Sequence, residues 1–369
     1  MDMRARIDAV VDRAIANKTI VGTVVLVAKD GQRVYARCAG FADRESGKPI
    51  AENTIFRLAS VTKPIVAATA LALIERGLMS LEDKVADHLA YFTPKTRKGA
   101  PATITIRHLL THTSGLGYDY SADPSICTGL QQTDFDFEQN FSRVAKLPLF
   151  FPPGERWEYS IASDVLGAVV AKVAGSTLEE AVAKYVTTPL GLKDTTFHVV
   201  DVERLATPYG DAKPEPVRMG DPHDVSDPDG RTITFSPGRI FNRKAFQSGG
   251  AGAAGTAPDL LTFLETMRGG GGAILKPETV DRAFANQIGD VAMRPHDAGR
   301  RFGFFGAVLV DPAEAQSPCA PGTVDWGGVY GHAWYVDRRS KTTIVIFTNT
   351  ALEGCIGNYP KDIRDAVYG

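Results

Sequence analysis

"FRLASVTKPIVAATALALIERG" (residues 56–77) opens polar and then turns apolar for almost its whole length. Ser60 and Lys63 are three residues apart, so on a helix they share a face, one turn from each other. Ile65, Val66, Ala67, Ala68, Ala70, Leu71, Ala72, Leu73 and Ile74 follow, and charge returns only at Glu75 and Arg76. A helix apolar on every side belongs among other elements. It is shorter than the ~20 residues of a membrane span, so the pattern predicts a helix in a packed interior. Lys63 then enters that interior, where an ammonium is costly unless it finds partners or gives up its proton. That points to a constructed site. The plain alternative is that Ser60 is an N-cap and Pro64 part of an ordinary first turn.

The chain has 369 residues, enough for one large domain or two intertwined lobes with a sizeable core. Lys plus Arg number 41 and Asp plus Glu 43. This balance argues against a nucleic-acid binder, which carries a basic excess or stripe. The four cysteines, Cys38, Cys127, Cys319 and Cys355, lack metal-ligand spacing and are expected to be reduced. The first residues read as an amphipathic helix, with Ile7, Val10, Val11 and Ala14 on one side, and not as a secretion signal. No segment reads as membrane-spanning, so the expected compartment is the cytoplasm.

Residues 22–43 predict a β-hairpin turning at Asp30-Gly31. Ser80 with Asp83 resembles a capping box. Residues 103–117 hold a short helix ending in a Gly-rich turn, and residues 118–140 show no clear period. Pro152-Pro153-Gly154 forces a turn, and a helix over residues 161–174 ends at Gly175. Ser176 or Thr177 caps the next helix. Residues 198–247, rich in Pro, Gly and Asp, read as a long surface excursion. The Gly-rich "SGGAGAAGT" lacks the strand and the Gly-Lys-Ser/Thr of a phosphate loop, and Thr256-x-x-Asp259 opens a helix after it. "FGFFGAVLV", "VDWGGVYGHAWYVD" and "TTIVIFTNT" read as strands, and a short helix closes the chain. Strands at both ends and helices between them predict an α+β fold, with one antiparallel sheet built from the two ends. The expected division is residues 1–80 with 256–369 as the sheet domain, and residues 81–255 as an inserted, mostly helical domain.

Ser60-Val61-Thr62-Lys63, Tyr159-Ser160-Ile161 and Trp326-Gly327-Gly328 stand out together. With "TIRHLLTHTSGL" and "PLGLKDT", in this order, they resemble the serine β-lactamase and penicillin-recognising superfamily. The likeness is greater to its class C β-lactamase-like carboxylesterases (family VIII) and D-amino-acid amidases, and it covers nearly the whole chain. The resemblance implies the β-lactamase/transpeptidase-like fold and a serine hydrolase working through an acyl-enzyme on small esters or D-amino-acid amides. It implies no cofactor, no metal, no nucleic acid and no membrane partner; the oligomeric state is left open.

A serine hydroxyl is a weak nucleophile until a base takes its proton, and Lys63 is within reach of Ser60. A lysine serves as a base when burial favours its neutral form. The resemblance places Tyr159 beside both as a proton relay; from its sequence position alone it reads as an anchor at the end of a turn. The Ser60 N–H, at a helix start, suits an oxyanion, and the resemblance gives the Val329 N–H as second donor. Trp326, Gly327, Gly328 and His332 are the expected pocket residues, the glycines letting substrate approach the strand edge; for His332 a structural role is equally open. His108 and His112, four apart, have no evident third ligand for a metal. Two departures matter: Ile161 replaces the Asn of Tyr-x-Asn, and Trp326-Gly327-Gly328 replaces Lys-Thr-Gly. Both favour the esterase branch over β-lactam hydrolysis. A weak β-lactamase, an acyltransferase on the same serine and a catalytically silent binder are the alternatives.

Overall fold

The structure, a computed structural model, describes residues 2–123, 125–227 and 230–369. Helix α1, Met3–Ala16, starts on Asp2, whose side chain accepts from the Ala5 N–H. The hairpin β1, Gly22–Lys29, and β2, Gln32–Asp43, turns where expected, with Asp30 at φ 52° and Gly31 at φ 82°. Two left-handed residues give the turn a twist that matches the strands. The short β3, Lys48–Pro49, pairs with β2.

The expected buried helix is α2, Thr62–Glu75; every residue from Thr62 to Leu73 is buried. Its α-helical part starts two residues later than Ser60, which lies in a 3₁₀ turn, Ala59–Val61. Helices α3, Ile106–Leu110, and α4, Ala162–Ala174, follow, and Gly175 ends α4 at φ 63°. Thr177 forms the capping box of the next helix with Glu180. Thr256 caps α5, Ala257–Arg268.

The chain end supplies five strands: β4, Arg300–Phe302; β5, Ala307–Leu309; β6, Val324–Gly328; β7, His332–Asp337; and β8, Thr342–Thr348. "FGFFGAVLV", expected as one strand, is broken: residues 303–306 turn between β4 and β5, with the Gly303 N–H bonded to the Gly306 carbonyl. Helix α6, Asn358–Tyr368, closes the chain. The sheet runs β4-β5-β6-β7-β8-β1-β2-β3, antiparallel throughout, so the two chain ends meet at β1 and β8. The α+β expectation holds.

Alternation sorts the central strands between two faces. Val25, Val27, Ile344 and Ile346 pack with Ile7, Val11, Tyr359 and Ile363 of α1 and α6. Val24, Leu26, Val345 and Phe347 face a larger core containing α2, α4 and α5. That core joins sheet residues to Leu109, Phe141 and Val169 of the middle segment without a break. Residues 198–247 are less loose than a surface excursion: they form the short pairs 209–210 with 217–218 and 223–226 with 232–235, and they bury Tyr209 and Phe235.

Candidate active site

Ser60 emerges from a strained turn. Ala59 has φ 44°, a left-handed conformation rare for a residue with a side chain, and it is fully buried. The turn is tied to residues 248–255: the Leu58 N–H donates to the Ala253 carbonyl at 2.8 Å, and the Ala253 N–H to Thr62 Oγ1 at 3.1 Å. The Ser60 hydroxyl does not cap α2; it turns to Lys63 and Tyr159.

Lys63 Nζ lies 3.1 Å from Ser60 Oγ, 3.0 Å from Tyr118 Oη and 2.8 Å from the Gly250 carbonyl. Tyr159 Oη donates to Ser60 Oγ at 2.7 Å and accepts from Trp326 Nε1 at 3.2 Å. Ser60 is 8 % exposed and Lys63 7 %, so one edge of the pair is open and the rest is enclosed.

Tyr159 is held by aromatic neighbours: His112 at 4.9 Å, Trp326 at 5.0 Å and Tyr118 at 5.3 Å between ring centroids. Below it the Ser160 N–H donates to His112 Nδ1 at 3.3 Å, and the Glu158 N–H to the His112 carbonyl at 2.9 Å. His112 is thereby a scaffold for the tyrosine segment. Burial holds it neutral, well below the usual histidine range, and the nearby Lys63 and Arg294 push the same way. His108 Nδ1 instead accepts from the Thr105 N–H in the capping box of α3. Burial raises the Tyr118 phenol well above its ordinary value, with Tyr159 and Asp164 adding to the shift. Tyr118 therefore faces Lys63 as a neutral phenol.

The Ser60 N–H and Val329 N–H have no acceptor among the described residues. The end of β6 lies directly over the Ser60 turn: a Cβ on Gly328 would stand 2.3 Å from the Leu58 carbonyl oxygen. A Cβ on Gly327 would stand 2.5 Å from the His332 carbonyl oxygen and 2.9 Å from Cys355 Sγ. These contacts give the two glycines a packing role beside the pocket role expected of them. The missing side chains let the strand end close on the Ser60 turn.

His332 departs from the pocket expectation. It is fully buried and gives substrate no surface. Its Nε2 donates to the Arg57 carbonyl at 2.8 Å, and its ring packs on Phe347 at 4.3 Å. Burial pushes its pKa down to about 4, so it is a neutral structural histidine.

Trp326 does face the cleft. With Phe302, Phe304, Phe305, Leu110 and Leu166 it lines a narrow apolar recess beside Lys63. A roomier cavity of about 220 Å³ lies elsewhere, between Arg57, Arg239, Phe241 and Tyr330, and contains neither Ser60 nor Lys63. The smaller recess is bordered by Lys63, and the Ser60 and Tyr159 hydroxyls meet beside it.

Three parts of this site had no sequence signal that was read: Tyr118 in the stretch without period, the Gly250 carbonyl, and Asp164 behind it. The Gly-rich run 248–255 was a usable signal. Its glycines let the backbone press against α4 and turn a carbonyl toward Lys63.

The β-lactamase family model matches residues 7–358. The chain belongs to the β-lactamase family. Within that family it is 45 % identical to Esterase EstB of Burkholderia gladioli, over 99 % of this chain and 95 % of the relative. It is 30 % identical to the lovastatin esterase of Penicillium rubens, over 90 % of each chain. The solved structure of EstCE1, a hydrolase with promiscuous acyltransferase activity, matches with a TM-score of 0.94 at 41 % identity, covering 99 % of this chain and 98 % of that one. The β-lactamase/transpeptidase-like fold expected from the motifs is therefore the fold found. This β-lactamase-family member is an enzyme, a serine hydrolase working through an acyl-enzyme. Among the described residues no helix is long and apolar enough to cross a membrane.

Proposed function

We propose that this serine hydrolase is a carboxylesterase for small esters with an apolar acyl group, with Ser60 as nucleophile, Lys63 as base and Tyr159 as proton carrier. The observation that carries the reading is the double approach to Ser60 Oγ, by Lys63 Nζ at 3.1 Å and Tyr159 Oη at 2.7 Å. A neutral lysine amine has two N–H donors and one lone pair. The Gly250 carbonyl and Tyr118 Oη take the two donors, and the lone pair is left to Ser60.

Ser60 Oγ then attacks the ester carbonyl carbon while its proton passes to Lys63 Nζ. The carbonyl π pair becomes an oxyanion held by the Ser60 and Val329 N–H groups, which have no competing partner. The pair returns, the C–O bond to the alcohol breaks, and the alcohol leaves with the proton relayed from Lys63 through Tyr159. Water attacks the acyl-enzyme by the same path, releasing the acid and restoring the Ser60 hydroxyl. The aromatic wall that Trp326 and Phe302 form beside Tyr159 supports a preference for an apolar acyl group. An alcohol in place of water gives acyl transfer, a second reading favoured by the likeness to EstCE1.

Two experiments test this. Wild type treated with p-nitrophenyl butyrate or a fluorophosphonate should carry its adduct on Ser60, and Ser60→Ala should lose turnover while keeping its fold. An adduct on another residue, Cys127 for example, rejects the mechanism. Ester hydrolysis should exceed nitrocefin hydrolysis about a hundredfold or more in kcat/KM. Ile161 and Trp326 lack two charge-assisted or amide contacts, each worth roughly 1.5–3 kcal/mol. Equal rates on the two substrates would reject the esterase assignment.

A further inference from the structure

Asp164 lies on α4 behind the site and takes no part in the steps above. It is 1 % exposed, a carboxylate in a close-packed interior. Its Oδ1 accepts from Ser248 Oγ and from the Gly250 N–H at 3.2 Å, while Oδ2 has no partner among the described residues. Glycines make room for it and for nothing larger. A Cβ on Gly250 would stand 2.4 Å from Oδ2, and one on Gly129 would stand 3.2 Å from Oδ1 and 2.6 Å from Ser248 Oγ. The residue gripped by this carboxylate is the one whose carbonyl holds Lys63.

Burying a carboxylate is costly, and a well-packed apolar group would serve a purely structural role as well or better. What it faces gives the reason. Lys63 and Arg239 are the cations whose charge acts on it, and Tyr118 and Cys127 are the ionisable neutral groups that feel its charge. Arg239 is already bonded to the Gln131 and Phe246 carbonyls. Lys63 is the cation that changes charge when it takes the Ser60 proton.

We infer that Asp164 is a positioning residue for the proton transfer: through Gly250 it fixes where Lys63 Nζ points, and its negative charge stabilises the ammonium formed as Ser60 attacks. The inference rests on the Lys63 base reading above. Burial alone raises the Asp164 pKa, and Lys63, Ser248, Gly250 and Arg239 work against that rise, so the carboxylate and the lysine proton are linked. The same field that stabilises the ammonium in the transition state also retains it in the resting enzyme at low pH. Removing the charge has two effects: turnover at the high-pH plateau falls, and the acidic limb of the pH–rate profile moves to lower pH. A scaffold residue would give only the first.

The test is kcat/KM and kcat against pH for wild type, Asp164→Asn and Ser248→Ala on p-nitrophenyl butyrate, with Tm measured for each. Asn keeps an oxygen for Ser248 and Gly250 and removes the charge. Asp164→Asn should lose about tenfold or more in plateau kcat and move the acidic limb down by about one pH unit. Ser248→Ala, which keeps the charge, should lower kcat severalfold with KM and the acidic limb unmoved. A folded Asp164→Asn with the wild-type limb overturns the inference. If Asp164→Asn does not fold, Ser248→Ala decides, and an unchanged kcat overturns it. Failure of the underlying reading is separate: it shows as a Lys63→Arg variant that keeps most of its activity.

Discussion

Trp326→Phe isolates one hydrogen bond in the proposed relay. Phenylalanine retains a ring where Trp326 packs on Tyr159, at 5.0 Å, and on Phe302, at 5.3 Å. It removes the Nε1–H that reaches Tyr159 Oη at 3.2 Å. If Tyr159 remains a neutral phenol throughout, the bond is neutral to neutral and is worth about 0.5–1.5 kcal/mol. That corresponds to roughly a two- to thirteenfold loss in rate. If the phenol oxygen gains negative charge while passing the proton, the bond becomes charge-assisted in the transition state and is worth about 1.5–3 kcal/mol there. The loss is then on the order of 13- to 160-fold, and it falls on kcat because the resting enzyme does not feel it. The relay reading predicts the larger loss, with KM for p-nitrophenyl butyrate changed by less than about threefold and Tm close to wild type. Steady-state kinetics across p-nitrophenyl acetate, butyrate and octanoate separate this from a packing defect, which would grow with acyl length. A loss below about thirteenfold on every ester refutes the idea that the Tyr159 oxygen carries charge.

Lys63→Arg should be nearly as damaging as Lys63→Ala, because a guanidinium keeps its proton at neutral pH; an arginine variant with most of its activity would reduce Lys63 to an electrostatic support. Gly328→Ala should lower both Tm and kcat, the latter at least about tenfold, since its Cβ would meet the Leu58 carbonyl at 2.3 Å beside the Val329 N–H; a fully active alanine variant would show that the strand end need not close on the turn. Stability should fall as pH drops from about 6.5 towards 4. His332 is held neutral with a folded pKa of about 4, below its unfolded value of about 6.5, so the unfolded chain binds more protons in that window. His332 contributes about 3 kcal/mol to the change, and His112, shifted the same way, adds to it. Urea titrations at pH 7.5 and 5 should show a smaller difference for His332→Gln than for wild type, and an equal difference would refute the assignment.

Local pattern alone determined the elements and much of the chemistry. The apolar run after Lys63 could only be a buried helix, and the Asp30-Gly31 turn between two alternating strands could only be a hairpin. Caps at Thr177 and Thr256 and the stop at Gly175 follow from side-chain and backbone preferences within a few residues. Ser60 and Lys63 belong to the same class, because their approach is set by one helical turn. Tyr159 came through likeness of motif, since nothing local brings residue 159 to residue 60. The break in "FGFFGAVLV" was hidden because glycines and phenylalanines fit a strand and a tight turn alike. Tyr118, Gly250 and Asp164 were decided only by the tertiary structure. Each acts on Lys63 across a long stretch of chain, directly or through a backbone carbonyl, and such contacts leave no period in the sequence. His332 and the two glycines before it show the reverse. Their residue types suited a pocket; in the fold the glycines also let β6 pack on the Leu58–Ser60 turn, and burial took the histidine out of reach of any substrate.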